Sequence, residues 1–238
     1  MRLTSDLISD SNTYLNPLKE RELDLRGNKI PQIENLGLAK DQDAIDLTDN
    51  AIASLSNFPL FPRLKSLYLA RNRVAHIAPN LAKNIPNLET VVLTDNNLAE
   101  LADLEPLKEF RKLTHISLVG CPVAAKENYR FFFIWLNPHI RFLDYAKVRD
   151  SERSAAKELF GPSTEEPSDA AQAIFNVRAG KPLVLSGVNG GADAGSKRIK
   201  TKLTDEEKAR YEKLVKNATS LKEIERLEKM LREGRVPG

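Results

Sequence analysis

The sequence is poor in the residues that build disulfides and metal centres: it has one cysteine, Cys121, and three histidines among 238 residues. A single cysteine cannot close an intramolecular disulfide, so we expect a protein of a reducing compartment inside the cell. No histidine has the cysteine or carboxylate spacing of a metal site, and we predict neither a metal nor another cofactor. No apolar run reaches the length of a signal peptide or a membrane span, so we expect no membrane partner.

Charge of one sign is also scarce. The formal net charge is only +3, and the residues up to 160 carry equal numbers of acidic and basic side chains. Proteins that wrap nucleic acid by bulk charge usually have a strong basic excess, so this class is disfavoured. No nucleophile motif occurs, and the glycine-rich stretch 190–197 lacks the Gly-Lys-Ser/Thr order of a phosphate-binding loop. We predict that the protein is not an enzyme.

What the sequence does contain is a repeat. Residues 64–74 fit the leucine-rich pattern L-x-x-L-x-L-x-x-N-x-L, with Val74 in the last place. Four further copies share the frame, although Gln42 and Glu20 occupy the first apolar place in two of them. The asparagine position of the pattern, called the ladder position below, is held in the five copies by Asn28, Asn50, Asn72, Asn96 and Cys121. Their spacing of 22 to 25 residues lies within the range of such repeats.

This repeat predicts an α/β fold, a leucine-rich repeat solenoid. In each copy, the L-x-L segment forms a short strand whose two leucines point into the protein core, because side chains alternate between the faces of a strand. The strands of successive copies form a parallel sheet. Turns and short helices close each coil on the convex side. We expect each ladder amide to satisfy backbone groups of adjacent coils, and Cys121 to take the same structural role. Open ends expose apolar rows, so we predict caps from residues 3–18 and from residue 129 onward.

Composition divides the chain into three parts. We predict the repeat domain with both caps at residues 1–160, a flexible linker at 161–203 and a helical tail at 204–238. The linker carries a basic cluster, which is a nuclear import signal, an RNA-contacting arm or plain solvated chain. The tail carries an apolar stripe that folds back as a hairpin or binds a partner. The cluster is Lys197, Arg198, Lys200 and Lys202, and the stripe is Leu221, Ile224, Leu227 and Leu231.

Candidate binding residues lie on the outward face of the predicted strands, called the concave face. This face grades from charged to small and neutral along the sheet, with Tyr68 as an aromatic anchor. Such a surface suits a protein helix better than polyanionic RNA, because Asp24 and Asp46 would repel phosphate. The predicted partner-binding residues are Glu22, Asp24, Arg26, Asp46, Thr48, Ser66, Tyr68, Thr90, Val92, Thr94, His115 and Ser117.

Basic residues near the C-terminal cap have two interpretations. A predicted helix over residues 146–159 is either a solvated surface helix or a phosphate-contacting patch. The RNA-contacting candidates near this cap are Lys147, Arg149 and Arg153. Two basic residues of the first repeat, Arg26 and Lys29, are further candidates.

Several stretches resemble one known family. Residues 21–31 (RELDLRGNKIP), 33–37 (IENLG) and 43–47 (DAIDL) are similar to the U2 small nuclear ribonucleoprotein A-prime family of leucine-rich repeat spliceosomal proteins. The cap pairs at residues 129–130 and 143–144, Pro138, residues 224–227 and residues 234–238 also agree with that family. Nearly the whole chain is covered, most specifically residues 20–50, whereas the linker departs from the pattern.

The resemblance implies a non-catalytic, nuclear pre-mRNA splicing factor. Its concave face would bind a helix of an RNA-recognition-motif partner, the B-double-prime protein, and the pair would bind a stem-loop of U2 small nuclear RNA, mainly through the partner. Separately from the resemblance, the apolar stripe of the tail is a candidate surface for other spliceosomal proteins, although the sequence does not identify its partner. The alternative is an intracellular leucine-rich repeat scaffold or regulatory subunit that binds a non-spliceosomal protein such as a phosphatase, because the fold does not specify function.

Overall fold

A computed structural model describes residues 2–179, with side-chain surroundings for residues 2–176. The strands are β1 (Thr13–Leu15), β2 (Arg21–Asp24), β3 (Ala44–Asp46), β4 (Ser54–Leu55), β5 (Ser66–Tyr68), β6 (His76–Ile77), β7 (Thr90–Val92), β8 (His115–Ser117), β9 (Phe142–Leu143) and β10 (Ala146–Lys147). The α-helices are α1 (Ser5–Asp10), α2 (Leu81–Asn84), α3 (Tyr129–Leu136), α4 (Asp150–Phe160) and α5 (Asp169–Ala179). Short 3₁₀ helices cover Leu36–Ala39, Leu101–Glu109 and Pro122–Ala125.

Eight strands form one sheet in the order β1-β2-β3-β5-β7-β8-β9-β10, and β4 and β6 pair in a second, two-stranded sheet. The strands from β2 to β9 in the large sheet are parallel, as the repeat predicts, and β1 and β10 add antiparallel edges. The central residue of every repeat strand is buried, and these residues lie in register: Leu23, Ile45, Leu67, Val91, Ile116 and Leu143. The predicted solenoid is therefore confirmed.

Three of the four ladder asparagines, Asn50, Asn72 and Asn96, join neighbouring coils as predicted, whereas Asn28 donates to the Arg26 carbonyl of its own coil. The Asn72 Oδ1 atom accepts a hydrogen bond from the Ile52 N–H at 3.0 Å, and its Nδ2 atom donates to the carbonyls of Leu47 at 2.9 Å and Leu69 at 3.1 Å. Asn50 and Asn96 repeat this arrangement. In the last coil, the thiol of Cys121 donates to the carbonyl of Leu93 in the preceding coil. The amides of Asn50, Asn72 and Asn96 thus satisfy groups that burial would otherwise leave unpaired.

The backbone turns sharply just before each ladder position. The preceding residue has a positive φ in all five coils, between 53° and 78°: Gly27, Asp49, Arg71, Asp95 and Gly120. Aspartate and arginine tolerate this conformation at some energetic cost, whereas glycine adopts it freely. At Gly120 a second constraint applies, because a Cβ atom would lie 2.0 Å from the Asp95 Oδ1 atom.

We expect Gly120→Ala to lower the free energy of unfolding by about 2 to 4 kcal/mol, because it adds a steric clash to left-handed backbone strain. Gly37→Ala is the matched control, since its φ is not left-handed and its nearest neighbour, the Lys40 side chain, is 4.0 Å away. Urea denaturation followed by circular dichroism measures both. Equal stability of the two variants would contradict the constraint at Gly120.

The N-terminal cap combines α1 with β1. Leu3 and Ile8 are buried against the first coil, and the Asn35 Nδ2 atom donates to the Leu3 carbonyl at 2.7 Å. The sequence predicts a helix and a loop here, and the structure adds a strand that pairs with β2. Periodicity cannot reveal β1, because all three of its residues are exposed and its stability comes from backbone pairing.

The C-terminal cap is held by the two residue pairs that the sequence singled out. The Tyr129 hydroxyl donates to the Asp144 Oδ2 atom at 2.9 Å, while the Asp144 Oδ1 atom accepts from the Leu118 N–H at 2.7 Å. Arg130 donates to the Leu143 carbonyl at 3.0 Å and pairs with Glu152 at 2.6 Å. The cap helix predicted over residues 146–159 is replaced by β10 followed by α4.

The structure differs from the sequence prediction after residue 161. A linker was expected from this point, whereas α5 packs on the cap: Ala171 is fully buried, and the Phe175 ring lies 6.0 Å from the Phe132 ring and 6.1 Å from the Trp135 ring. Pro162 and Pro167 bracket a short turn between two helices, so their presence does not mark a long linker. The rest of the linker with its cluster at 197–202, and the tail with its stripe at 221–231, lie outside the described residues.

Candidate functional site

The concave face carries two rows of side chains, set by the register of the strands. The first row is Glu22, Ala44, Ser66, Thr90, His115 and Phe142, and the second is Asp24, Asp46, Tyr68, Val92 and Ser117. Along the edge of this face, Arg26 follows the end of β2, Thr48 that of β3 and Thr94 that of β7. The structure therefore places all twelve residues that the sequence proposed for partner binding on one face or along its edge.

Accessibility separates these residues into two groups. Glu22, Ser66 and Ser117 are buried, and Asp46 is only 9% exposed. These four side chains offer a partner little accessible surface, so we expect them mainly to support their neighbours, and the set predicted from sequence stays a prediction. Partly or fully exposed side chains remain at Asp24, Arg26, Thr48, Tyr68, Thr90, Val92, Thr94 and His115.

The N-terminal end of this face is an ion network. The Arg26 guanidinium donates to both carboxylate oxygens of Asp24, at 2.9 and 2.6 Å, and its Nε atom lies 3.6 Å from the Asp46 Oδ2 atom. The hydrogen bonds from Arg26 hold the pKa of the Asp24 carboxyl below its usual range. Asp46 also accepts a hydrogen bond from the Thr48 N–H at 2.8 Å, so it shapes the backbone after β3. One arginine thus faces two carboxylates.

Glu22 lies beneath this end as a buried acceptor. The Tyr14 hydroxyl donates to its Oε1 atom at 2.7 Å and the Asn16 Nδ2 atom to its Oε2 atom at 3.0 Å. The hydrogen bond to Glu22, with burial and the negative charge of Glu22, raises the pKa of Tyr14 to about 12. Tyr14 was not among the residues proposed from sequence, because β1 carries no repeat pattern.

We expect Tyr14 to ionise near pH 12, and Glu22→Gln to bring this pKa down toward 10, because the variant removes the charged acceptor. The raised pKa means that the hydrogen bond contributes fully to stability below pH 10 and is lost as the pH rises through 12. Ring-carbon NMR of labelled tyrosine measures the titration. Glu20→Gln is the control and should leave Tyr14 unchanged; a similar fall in both variants would contradict the role of Glu22.

Tyr68 stands at the centre of the second row. Its side chain is only partly exposed, and burial raises the pKa of its hydroxyl. Its strand lies between the acidic end and the neutral end, with Asp46 and Val92 as its register partners. A half-buried tyrosine in this position offers both an apolar ring and a polar tip to a partner.

The C-terminal end of the face is aromatic. The rings of His115 and Phe142 are stacked, with centroids 4.8 Å apart and an interplanar angle of 8°. The Nδ1 atom of His115 lies 2.8 Å from the Thr114 hydroxyl. Phe142 was assigned to the cap from sequence, yet it is the register partner of His115 on β9. The first row could have been extended to Phe142 by aligning Leu143 with Ile116.

The basic residues proposed for RNA contact do not form one patch. Arg26 and Lys29 follow β2, whereas Lys147 lies on β10 and Arg149 follows it. Six strand spacings from β2 to β10 span roughly 29 Å along the sheet. The guanidinium of Arg153 donates to the carbonyls of Pro138 at 2.8 Å and Ile140 at 2.5 Å, so it secures the cap. The five residues cannot act on a single short phosphate segment.

Within residues 2–179, no group of His, Cys, Asp and Glu side chains is arranged to hold a metal ion. No helix in this range is both long enough and apolar enough to cross a membrane.

Comparison with known proteins identifies the family. The leucine-rich repeat family model matches residues 1–174. The chain is 58% identical over its full length to the U2 small nuclear ribonucleoprotein A′ of Aspergillus fumigatus, covering 93% of that relative. The chain belongs to the U2 small nuclear ribonucleoprotein A′ family. The Schizosaccharomyces pombe member is 43% identical with both chains fully covered, and the mouse member is 40% identical with 90% of it covered.

A solved structure gives the same relationship. The fold is similar to a chain in the crystal structure of the Drosophila melanogaster SNF/U2A′ complex, with a TM-score of 0.67 and 46% identity. The similarity covers 74% of this chain and 99% of that one. The predicted resemblance to the A′ family and the predicted leucine-rich repeat fold are both confirmed.

Proposed function

We propose that this protein is a non-catalytic pre-mRNA splicing factor, a component of the U2 small nuclear ribonucleoprotein that acts in the nucleus. Its concave face binds one helix of an RNA-recognition-motif protein, the B-double-prime partner of the family. The pair then binds a stem-loop of U2 RNA, mainly through the partner. Membership of the A′ family supports this proposal, as does the presence of SNF in the complex that contains the Drosophila relative.

The observation that carries the proposal is the shape of the accessible concave face. Four strand spacings separate β2 from β8, or about 19 Å, which is the length of about 13 residues of α-helix. The two rows are two residues apart along each strand, or about 7 Å, which fits a single helix across them. The face therefore has the dimensions of one helix of three to four turns.

The charges on this face suggest how the helix is oriented. The N-terminal end holds Asp24 and Asp46 around one arginine. At the other end, β7 presents Val92, and β8 and β9 present the His115–Phe142 stack. A helix with a cationic residue near β2 and an apolar residue near β7 complements both ends. Complementary charges favour one direction of docking and reject the reverse.

RNA contact by this chain is a secondary part of the proposal. Arg26 and Lys29 lie beside the acidic end, where their charges could meet phosphates held by the partner. Lys147 and Arg149 are exposed at the opposite end of the sheet and would contact a different segment of nucleic acid. Contacts to phosphate position a complex without reading its sequence, so sequence recognition is assigned to the partner.

The decisive experiment measures binding of the U2 stem-loop by this chain alone, by the partner alone and by both together. We expect the pair to bind more tightly than the partner, and this chain alone to bind weakly, because its repeat domain has no basic excess. An affinity of this chain alone that equals that of the pair would refute the scaffold role. An unchanged affinity of the partner in its presence would refute the assisting role.

The tail is proposed to bind other spliceosomal proteins. Full-length protein with Leu227→Asp and Leu231→Asp should lose them from an affinity purification while it keeps U2 RNA and the RNA-recognition-motif protein. The alternative of a non-spliceosomal scaffold would yield purifications without RNA or splicing proteins, with or without these substitutions.

A further inference from the structure

A cavity of about 320 Å³ lies in the C-terminal cap, between α3, α4 and the loop of residues 161–168. Both ends of this loop are fixed. The Trp135 Nε1 atom donates to the Gly161 carbonyl at 2.9 Å, and the Ser168 N–H donates to the Phe160 carbonyl at 2.9 Å. Between these fixed ends, Pro162, Ser163 and Thr164 line the cavity.

Ser163 is one of the residues that line the cavity. Its side chain is exposed, and its Oγ atom accepts hydrogen bonds from the N–H groups of Glu165 and Glu166, each at 3.3 Å. Two backbone donors therefore converge on the serine oxygen. Phosphorylation turns Oγ into the ester oxygen and places anionic oxygens next to it, and these would form stronger, charge-assisted bonds with the same donors.

Two cationic side chains line the same cavity. The exposed Lys157, in the last turn of α4, makes no ion pair with any residue of the range 2–179. Arg153, one turn earlier, is held in position by its bonds to the carbonyls of Pro138 and Ile140. A lysine and a fixed guanidinium beside an exposed serine provide the surroundings that a phosphate group requires.

The sequence around Ser163 supplies a second, independent observation. Among the serines and threonines of residues 2–179, Ser163 is the only one followed at the third position by an acidic residue, Glu166. Glu165 adds a second carboxylate before it. An acidic residue three positions after the acceptor hydroxyl is the feature that acidophilic serine/threonine kinases select.

We propose that Ser163 is a phosphorylation site whose phosphate occupies the cap cavity and secures the loop between α4 and α5. An acidophilic kinase transfers the γ-phosphoryl group of Mg-ATP. The Ser163 Oγ–phosphorus bond forms as the bond to the bridging oxygen breaks, ADP leaves, and the hydroxyl proton passes to the base of the kinase. The phosphate then accepts bonds from the two loop amides and pairs with Lys157 and Arg153, which orders the loop.

The test uses the full chain with Thr204→Val and Ser220→Ala, because these two residues also precede an acidic residue at the third position. The protein is treated with an acidophilic serine/threonine kinase and ATP, and mass spectrometry locates the phosphate. We expect modification of Ser163 and a rise of roughly 2 to 4 °C in the unfolding midpoint. Hydrogen exchange of amides in residues 161–171 should slow about fivefold.

Two lysine variants determine whether the cavity holds the phosphate. Lys157→Gln should remove most of the stabilisation on phosphorylation, whereas Lys83→Gln, an exposed lysine on another part of the solenoid, should preserve it. Ser163→Ala should fold as the parent does and show no kinase-dependent shift. A rise that survives Lys157→Gln, or no rise at all on modified Ser163, would overturn the proposed phosphate site. Failure to modify Ser163 in the intact chain, when a peptide of residues 158–170 is modified, would overturn the proposal as a whole.

Discussion

Replacing the ladder residue Asn96 with alanine should lower the free energy of unfolding by about 3 to 5 kcal/mol. The Asn96 Oδ1 atom accepts from the Val74 N–H at 2.9 Å, and its Nδ2 atom donates to the carbonyls of Leu69 at 2.8 Å and Leu93 at 2.9 Å. The side chain is only 2% exposed, so water cannot replace these bonds. A loss of this size is a large fraction of the typical stability of a domain, about 5 to 15 kcal/mol.

Asn28 provides a matched control from the same repeat position. It belongs to the first coil, and its Nδ2 atom makes one bond, to the carbonyl of Arg26 in its own coil. Asn28→Ala should therefore cost less than about 1 kcal/mol. Chemical denaturation of both variants tests the comparison. Similar losses would mean that the ladder amides contribute through local turn geometry, and that bonding between coils is unimportant.

The contrast between these two asparagines shows what the repeat pattern predicts and what it leaves open. The frame assigns all five ladder positions the same role, because it depends only on spacing. Bonding between coils requires a preceding coil with unpaired backbone groups, and Asn28 has none. Position within the solenoid therefore decides how much each ladder residue contributes, and a pattern read one copy at a time does not contain that information.

The concave face was predictable in its position but not in its accessibility. Strand alternation correctly placed Glu22, Ser66 and Ser117 on the outward face, yet these three side chains are buried. For Glu22 the covering group is Tyr14 on β1, a strand formed by backbone pairing and exposed side chains. Hydrophobic periodicity detects elements that bury side chains, so it does not detect such a strand or the residues beneath it.

The segment after residue 161 differs from the predicted linker for a related reason. Two prolines and a serine near one another are typical of linkers, and they are equally typical of a tight connection between helices. What distinguishes the two cases here is the aromatic surface of the cap, where Phe175 packs beside Phe132 and Trp135. That surface is assembled from residues at least 40 positions before Phe175 in the sequence, and it exists only once the chain is folded.

Replacing Tyr68 with alanine should weaken binding of the proposed RNA-recognition-motif partner by about 30-fold or more, the effect of losing an interface hot spot of about 2 kcal/mol. Tyr68 lies at the centre of the accessible face. Its side chain is already half-buried in the free protein, so little conformational entropy is lost when a partner immobilises the ring. Titration of the purified partner by calorimetry measures the loss, and circular dichroism verifies that the variant is folded.

The choice of Tyr68 over the neighbouring Asp46 follows from the structure. Reversal of charge at Asp46 would remove its bond to the Thr48 N–H and place a lysine beside Arg26, so weaker binding would be confounded with a damaged fold. Tyr145→Ala serves as the control, since this tyrosine is 74% exposed at the β9–β10 turn and should change the affinity less than about threefold. If Tyr68→Ala binds as the parent does, the helix does not cross the centre of the concave face. The partner would then have to engage an edge of the sheet, and the exposed β1 strand beside the acidic network would be the place to search for it.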